Sequence, residues 1–423
     1  MPDRTHAPAF KKIEKIHIKE AENLKLNNGM PLHVIKAGTQ ELLRLEVIIS
    51  GGKLFESHNG QSYLTTKMLN EGTEKYTAAQ LSERIDYFGA FLELIPAVDY
   101  VFVNLYCLSK YFHELLPLML DILQNSNFPE QELAILVNNT MQEIKVNEEK
   151  NQIVANKRFK ELLLGATHPY GQDLKAEDIA VLNDPAPLKQ FHDSYFKSGY
   201  DFILAGNVEQ QHIQLMEDHF GSLAHLDLDF PDRKKEEIFE NRLIVEKPQS
   251  PQSSIRIGRV VCAKNHPQYI DLLILAEIFG GYFGSRLMKK IREEKGYTYG
   301  IYAKVINYKF TSYLIITTEV KKEFTSHTID DIFREMEILR EEPIGEDELE
   351  TVKNQLLGSF LSSINNAFAL SDKFKSVYLN GMDYTFYQRF INRVNQITPE
   401  EIRETANHFL DPKAMKQVIV GSV

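Results

Sequence analysis

One supersecondary order is written twice in this chain, and any fold must satisfy both copies. SERIDYFGAFLELIPAVDYVFVNLYC in the first half reads helix, glycine, strand, strand. MKKIREEKGYTYGIYAKVINYKFTSYLIITTE in the second half reads the same, with Gly89 and Gly296 at matching places. A glycine there lets the chain reverse tightly where a helix ends. Each copy follows two runs of strand text: LKLNNGMPLHVIKAG and LLRLEVIISGG in one half, NRLIVEKP and SSIRIGRVVCA in the other. Each half then closes on a strand, YDFILAG or MKQVIVGSV. Helices are predicted at 61–71, 77–88 with Thr77 as N-cap, 110–125, 129–148, 150–164 and 208–220. HPQYIDLLILAEIFGG is predicted helical too, followed by helices at 326–341, 346–365, 368–379, 384–394 and 398–409. So long a period indicates duplication and not a solenoid. The predicted fold class is α+β, with two duplicated domains, each a mostly antiparallel sheet packed with helices. A length of 423 residues suits two such cores. The predicted domains are 1–225 and 241–423. They are joined by a linker at 226–240, where LDLDFPDRKKEEIFE is charged, aperiodic and broken by Pro231.

The formal charge of −11 argues against nucleic acid or an anionic membrane as partner, since both attract basic surfaces. No apolar run reaches the ~18 residues of a membrane span. The first residues, MPDRTHAPAFKKIEKIHIKE, lack the apolar core of a secretory signal, so a cytoplasmic location is expected. Cys107 and Cys262 lie far apart in sequence and read as small buried thiols in a reducing compartment. GGYFGS (280–285) has glycines but not the spacing or context of a phosphate loop. His113-Glu114 has no second histidine in register, and His212 and His219 are expected on a helix surface.

NNGMPLHVI, GGKLFESHNGQSYLTTKMLNEGT, HPYG (168–171) and GSRLMKKIREEKGYTYG together resemble the pitrilysin/insulinase zinc peptidases, the inverzincins, over nearly the whole length. The size is similar to the compact bacterial branch, which implies a clamshell of duplicated domains around a chamber. Active members carry H-x-x-E-H, in which two histidines hold zinc and the glutamate takes a proton from bound water. Aligned on Gly60, Met68, Leu69, Gly72 and Thr73, the first histidine position is Tyr63, the glutamate is Thr66 and the second histidine is Lys67. The family's third ligand, a glutamate about 76 residues further on, falls at Glu143. A lone carboxylate cannot hold zinc, and an ammonium repels it. Glu143 is expected to be a relic, a partner of Lys67, or a plain solvated helix residue.

In the same family the second domain supplies an arginine and a tyrosine, spaced R-x6-Y, that reach the zinc site across the chamber. Arg292 and Tyr299 keep that spacing around Gly296, placing the arginine on the last helical turn and the tyrosine on the next strand. A phenol can donate to a developing oxyanion, and a guanidinium can bind a carbonyl. Tyr297 and Tyr302 are the alternatives for the phenol. The competing reading makes Arg292 a surface residue favourable at a helix C-terminus and nothing more. AFLELIPA (90–97) falls where active relatives add substrate as an edge strand.

The resemblance therefore implies a subunit without its own zinc, paired with a homologous chain that bears H-x-x-E-H and the Zn. Arg292 and Tyr299 would act on peptide substrates bound at the partner's site. Alone, the chain is expected to be inactive, with a homodimer left open. The alternative is a structural or peptide-binding pseudo-peptidase in which the pair is incidental.

Overall fold

The computed structural model describes residues 16–233 and 238–422. Residues 1–15, 423 and, within the predicted linker, 234–237 lie outside the described residues. The first sheet contains β1 (Glu22–Lys25), β2 (Pro31–Lys36), β3 (Leu42–Ile49), β4 (Phe91–Pro96), β5 (Val101–Leu108) and β6 (Tyr200–Gly206), in the order β1-β2-β6-β3-β5-β4. The second contains β7 (Arg242–Glu246), β8 (Gln252–Val261), β9 (Thr298–Asn307), β10 (Ser312–Lys321) and β11 (Lys416–Gly421), in the order β7-β11-β8-β10-β9. Without the β1 hairpin strand the two orders are identical. Each has one parallel pair, β2 with β6 and β7 with β11, and antiparallel pairs elsewhere. The duplication legible in the sequence is thus a duplication of topology, and the mixed two-sheet fold is as expected.

The helices of the first half are α1 (Gln61–Met68), α2 (Ala78–Tyr87), α3 (Phe112–Asn125), α4 (Glu130–Glu149), α5 (Asn151–Leu164), α6 (Ala176–Ala180), α7 (Pro185–Tyr195) and α8 (Gln210–Phe220). The second half holds α9 (Tyr269–Ala276), α10 (Thr325–Glu341), α11 (Glu346–Ser362), α12 (Ala367–Tyr378), α13 (Thr385–Gln396) and α14 (Pro399–Phe409). Thr77 caps α2 in a capping box with Gln80. Wider helical turns over Glu277–Gly281 and Met288–Glu294 lead into β9.

The halves are not covered by their own helices alone. β3 is almost continuously buried, so both faces of its sheet need a partner. One face is closed from the other half of the chain. α12 packs on β2 and β6, while α5 crosses in the opposite direction to pack on β8 and β11. One core accordingly joins Tyr313, Ile315, Val418 and Val420 to the first sheet, and another joins Leu370 and Phe374 to Ile35, Ile48 and Ile203. Buried charges pin each exchanged helix at equivalent places. Glu46, opposite Asn104 and Ile203, accepts from Lys375 Nζ of α12 at 2.6 Å. Arg256, opposite Thr317 and Val418, donates to Asn156 Oδ1 of α5 at 2.6 Å and pairs with Glu319 at 2.9 Å. In the connecting segment Phe230 packs against Phe55, Tyr100 and Phe310, and Arg233 donates to the Leu54 carbonyl. Cys107 is buried, its thiol pushed up to about 12 by burial, whereas Cys262 is only half-buried, contrary to expectation.

Candidate functional site

α1 starts where it does because Gly60 takes a left-handed conformation, φ 94°, that side chains avoid. A Cβ there would also meet Leu174 Cδ1 at 2.8 Å. The orphan N–H groups of the first turn go to one carboxylate: Glu56 accepts from Gly60 N at 3.1 Å and Ser62 N at 2.8 Å. Burial nevertheless pushes the Glu56 carboxyl up to about 7, against the pull of Lys53 and of those N–H groups. Ser62 Oγ donates to the Gly51 carbonyl at 2.7 Å. Leu64 and Met68 anchor the helix in a cluster with Phe128, Leu133, Val137 and Ile144, the last three in or beside α4. Packing therefore brings Tyr63, Thr66, Lys67 and Glu143 to the junction of α1, α4 and β4.

Their chemistry is not that of a zinc site. Thr66 is buried, and its hydroxyl donates to the Ser62 carbonyl at 2.7 Å, one turn back. The Tyr63 phenol is shifted up by burial, holds a hydrogen bond with Thr140, and feels the nearby Glu143 charge, which raises it further. Such a phenol is a poor metal ligand. Lys67 Nζ donates to the main-chain carbonyl of Leu94 on β4 at 3.1 Å. Of the three readings left open for Glu143, partnership with Lys67 is not the one adopted: the two form no ion pair, and Glu143 is exposed. A long flexible stem gives the ammonium a choice, and a carbonyl on the adjacent strand is the partner it takes. One carboxylate, one hydroxyl already bonded, one phenol and one ammonium do not fit zinc. Among the described residues, no three His, Cys, Asp or Glu side chains gather in a group that could hold a metal.

β9 and the turn before it build the second cluster. Gly296, φ 65°, reverses the chain between Arg292 and Tyr299. Arg292 Nε donates to the Tyr299 carbonyl at 3.0 Å, and its guanidinium lies over the Phe283 ring at 4.4 Å. Its two terminal nitrogens carry no hydrogen bond among the described residues. The Tyr299 side chain is 95% exposed. Of the alternatives, Tyr297 is stacked on Phe324 with centroids 4.4 Å apart, and Tyr302 is partly exposed beside Lys304. No hydrogen bond or ion pair described links Arg292 or Tyr299 to Tyr63, Lys67 or Glu143. The first cluster lies beside β4, the outer strand of one sheet, and the second at the start of β9, the outer strand of the other, and on the helical turn before it.

Three residues of these clusters escaped the sequence reading. Phe283, in the glycine-rich GGYFGS, is the platform for Arg292. Thr140 holds Tyr63, one turn before Glu143. Glu56 was legible as an acid just ahead of a helix start, where anions are favoured. His212 corrects an expectation of surface exposure: it is buried, its Nδ1 facing Glu209 N at 3.0 Å and its ring packed edge-on to Phe112. It satisfies the helix end.

Two family models match this chain. One, described as insulinase (peptidase family M16), matches residues 34–168. The other, described as peptidase M16 inactive domain, matches residues 184–356. A Bacillus subtilis protein described as an uncharacterized zinc protease, YmxG, is 24% identical over 90% of this chain and 93% of its own length. A Helicobacter pylori protein described as a non-peptidase homolog is 21% identical over 84% of this chain and 83% of its own. The crystal structure of a peptidase M16 inactive domain from Pseudomonas fluorescens superposes with a TM-score of 0.86, at 21% identity, over 95% of this chain and 98% of that one. A protease from Helicobacter pylori superposes with a TM-score of 0.85, at 16% identity, over 96% and 100%. With the repeated sheet order, the α1 segment and the two matched halves all in agreement, the chain belongs to the insulinase family of peptidases, M16.

Proposed function

We propose that this chain is the metal-free half of a two-chain peptidase and that Arg292 and Tyr299 serve the zinc site of a homologous subunit bearing H-x-x-E-H. One observation carries the reading. Where the metal chemistry is replaced by Tyr63, Thr66 and Lys67, the Arg292–Tyr299 unit persists, tied by a 3.0 Å bond and facing solvent. A side chain as exposed as Tyr299 gains nothing for this chain's own core.

The division of work follows from the groups. A zinc held by the partner's H-x-x-E-H would activate the water that attacks the peptide. Tyr299, with an unburdened phenol, donates to the oxygen of the scissile carbonyl as it becomes an oxyanion. Arg292 is oriented by its Nε bond and by Phe283, which leaves its terminal nitrogens to bind a substrate carbonyl. The substrates are peptides or short unfolded segments, because a chamber closed between two chains excludes folded proteins. The test is to combine this chain with a zinc-bearing homologue, Zn²⁺ and a quenched peptide. Neither chain alone should turn the peptide over appreciably, and the mixture should. A zinc-bearing chain equally active alone would refute the reading.

A second reading has its own support. Arg292 on the Tyr299 carbonyl is also what closes a helix end with no ligand present. In that case the chain is a structural or peptide-binding pseudo-peptidase, and adding it changes no rate.

A further inference from the structure

Among the described residues β4 is an outer strand, paired on one side only, with β5. Antiparallel ladders turn the main chain of alternate residues inward and outward. Ala97 N–H bonds the Tyr100 carbonyl, which fixes the phase. Pro96, Leu94 and Leu92 then present their main-chain groups outward, and Pro96 has no N–H to offer. The outward main-chain positions able both to donate and to accept are therefore Leu92 and Leu94. Such an edge invites an extended chain to add as another strand.

Here the row already has an occupant. Lys67 Nζ, from the helix packed beside β4, donates to the Leu94 carbonyl at 3.1 Å. An extended peptide pairing across Leu94 would need that same acceptor. Its amide is neutral, whereas the ammonium is charged, and charge-assisted bonds are the stronger. The ammonium would also have to find another partner on leaving, and the Glu143 carboxylate is not paired with it.

We infer that Lys67 is an internal plug on the outer edge of β4: the residue that replaced a ligand histidine also closes this strand to peptides. The inference concerns this chain's own first sheet and holds whether or not Arg292 and Tyr299 serve a partner. It gives the chain a polarity, with β4 shut and the Arg292–Tyr299 surface on β9 open.

The experiment uses the full chain and fluorescence anisotropy of a fluorescein-labelled, uncharged peptide of alternating Val, Thr and Ser. Lys67→Met keeps the apolar stem and removes the donor, and Lys67→Gln keeps a neutral donor. Binding by K67M should tighten by about tenfold over wild type, the weight of one hydrogen bond to a charged group, with K67Q between the two. The gain should vanish for the same peptide with alternate amides N-methylated, since strand addition needs those N–H groups. Equal binding by wild type and K67M overturns the inference. A gain that survives N-methylation overturns it as well, because the peptide is then held by side chains.

Discussion

Zinc selects neutral or anionic donors with a free lone pair, and neither histidine place on α1 offers a good one. Tyr63 holds a phenol pushed up by burial and bonded with Thr140, and Lys67 has spent its ammonium on Leu94. Glu143 alone retains ligand chemistry. If the scaffold still aims these positions at one point, two substitutions should rebuild the site. Tyr63→His with Lys67→His is expected to bind Zn²⁺ measurably in a chelator-competition titration, and the added change Glu143→Gln should abolish that binding. A double variant that binds no more zinc than wild type would show that Glu143 is out of register. The positions Tyr63, Thr66 and Lys67 were read by family register on the flanking Gly60, Gly72 and Thr73. The partner of Lys67 was not: a carbonyl on β4, 27 residues away, carries no residue-type signal.

Secondary elements were the most legible level, and their docking the least. Both sheets, the capped α2 and the paired strands around Gly89 and Gly296 follow from periodicity and caps. α7 was passed over although Asp184 and Pro185 announce it, the Asp184 side chain accepting from Ala186 N. The exchange of α5 and α12 could not be read, since an amphipathic helix declares that it has a buried face, not which sheet receives it. Glu46 makes that exchange testable. It is fully buried, and Lys375 at 2.6 Å is its close cationic partner, with Arg44 at 3.9 Å. Lys375→Ala should cost about 3 kcal/mol in urea unfolding by stranding the carboxylate. Lys375→Met with Glu46→Gln should recover part of that loss. Additive losses in the double variant would mean that the two residues do not act as a pair.

Across the whole molecule, acid should act through buried histidines. His33, wedged at the exchange seam against Phe374 and Tyr378, is pushed down to about 4 by burial, and so is His192. Each stays neutral in the fold but protonates near 6.5 when unfolded. Their contribution is therefore present above pH 6.5 and lost as pH falls from 6.5 toward 4. Glu56 works the other way, its contribution being full below pH 4.5 and fading as pH rises to about 7. The clean readout is thus a comparison of chains: His33→Gln should lose less stability than wild type between pH 6.5 and 4, by up to about 3 kcal/mol. Identical slopes would mean that His33 titrates normally. The functional assignment rests on two side chains at the outer strand of the second sheet, and it is tested by peptide turnover of the assembled two-chain complex carrying Arg292→Ala or Tyr299→Phe. Each substitution should lower turnover by about 10²–10³ with complex mass and zinc content unchanged. Turnover at the wild-type level in both variants contradicts the assignment.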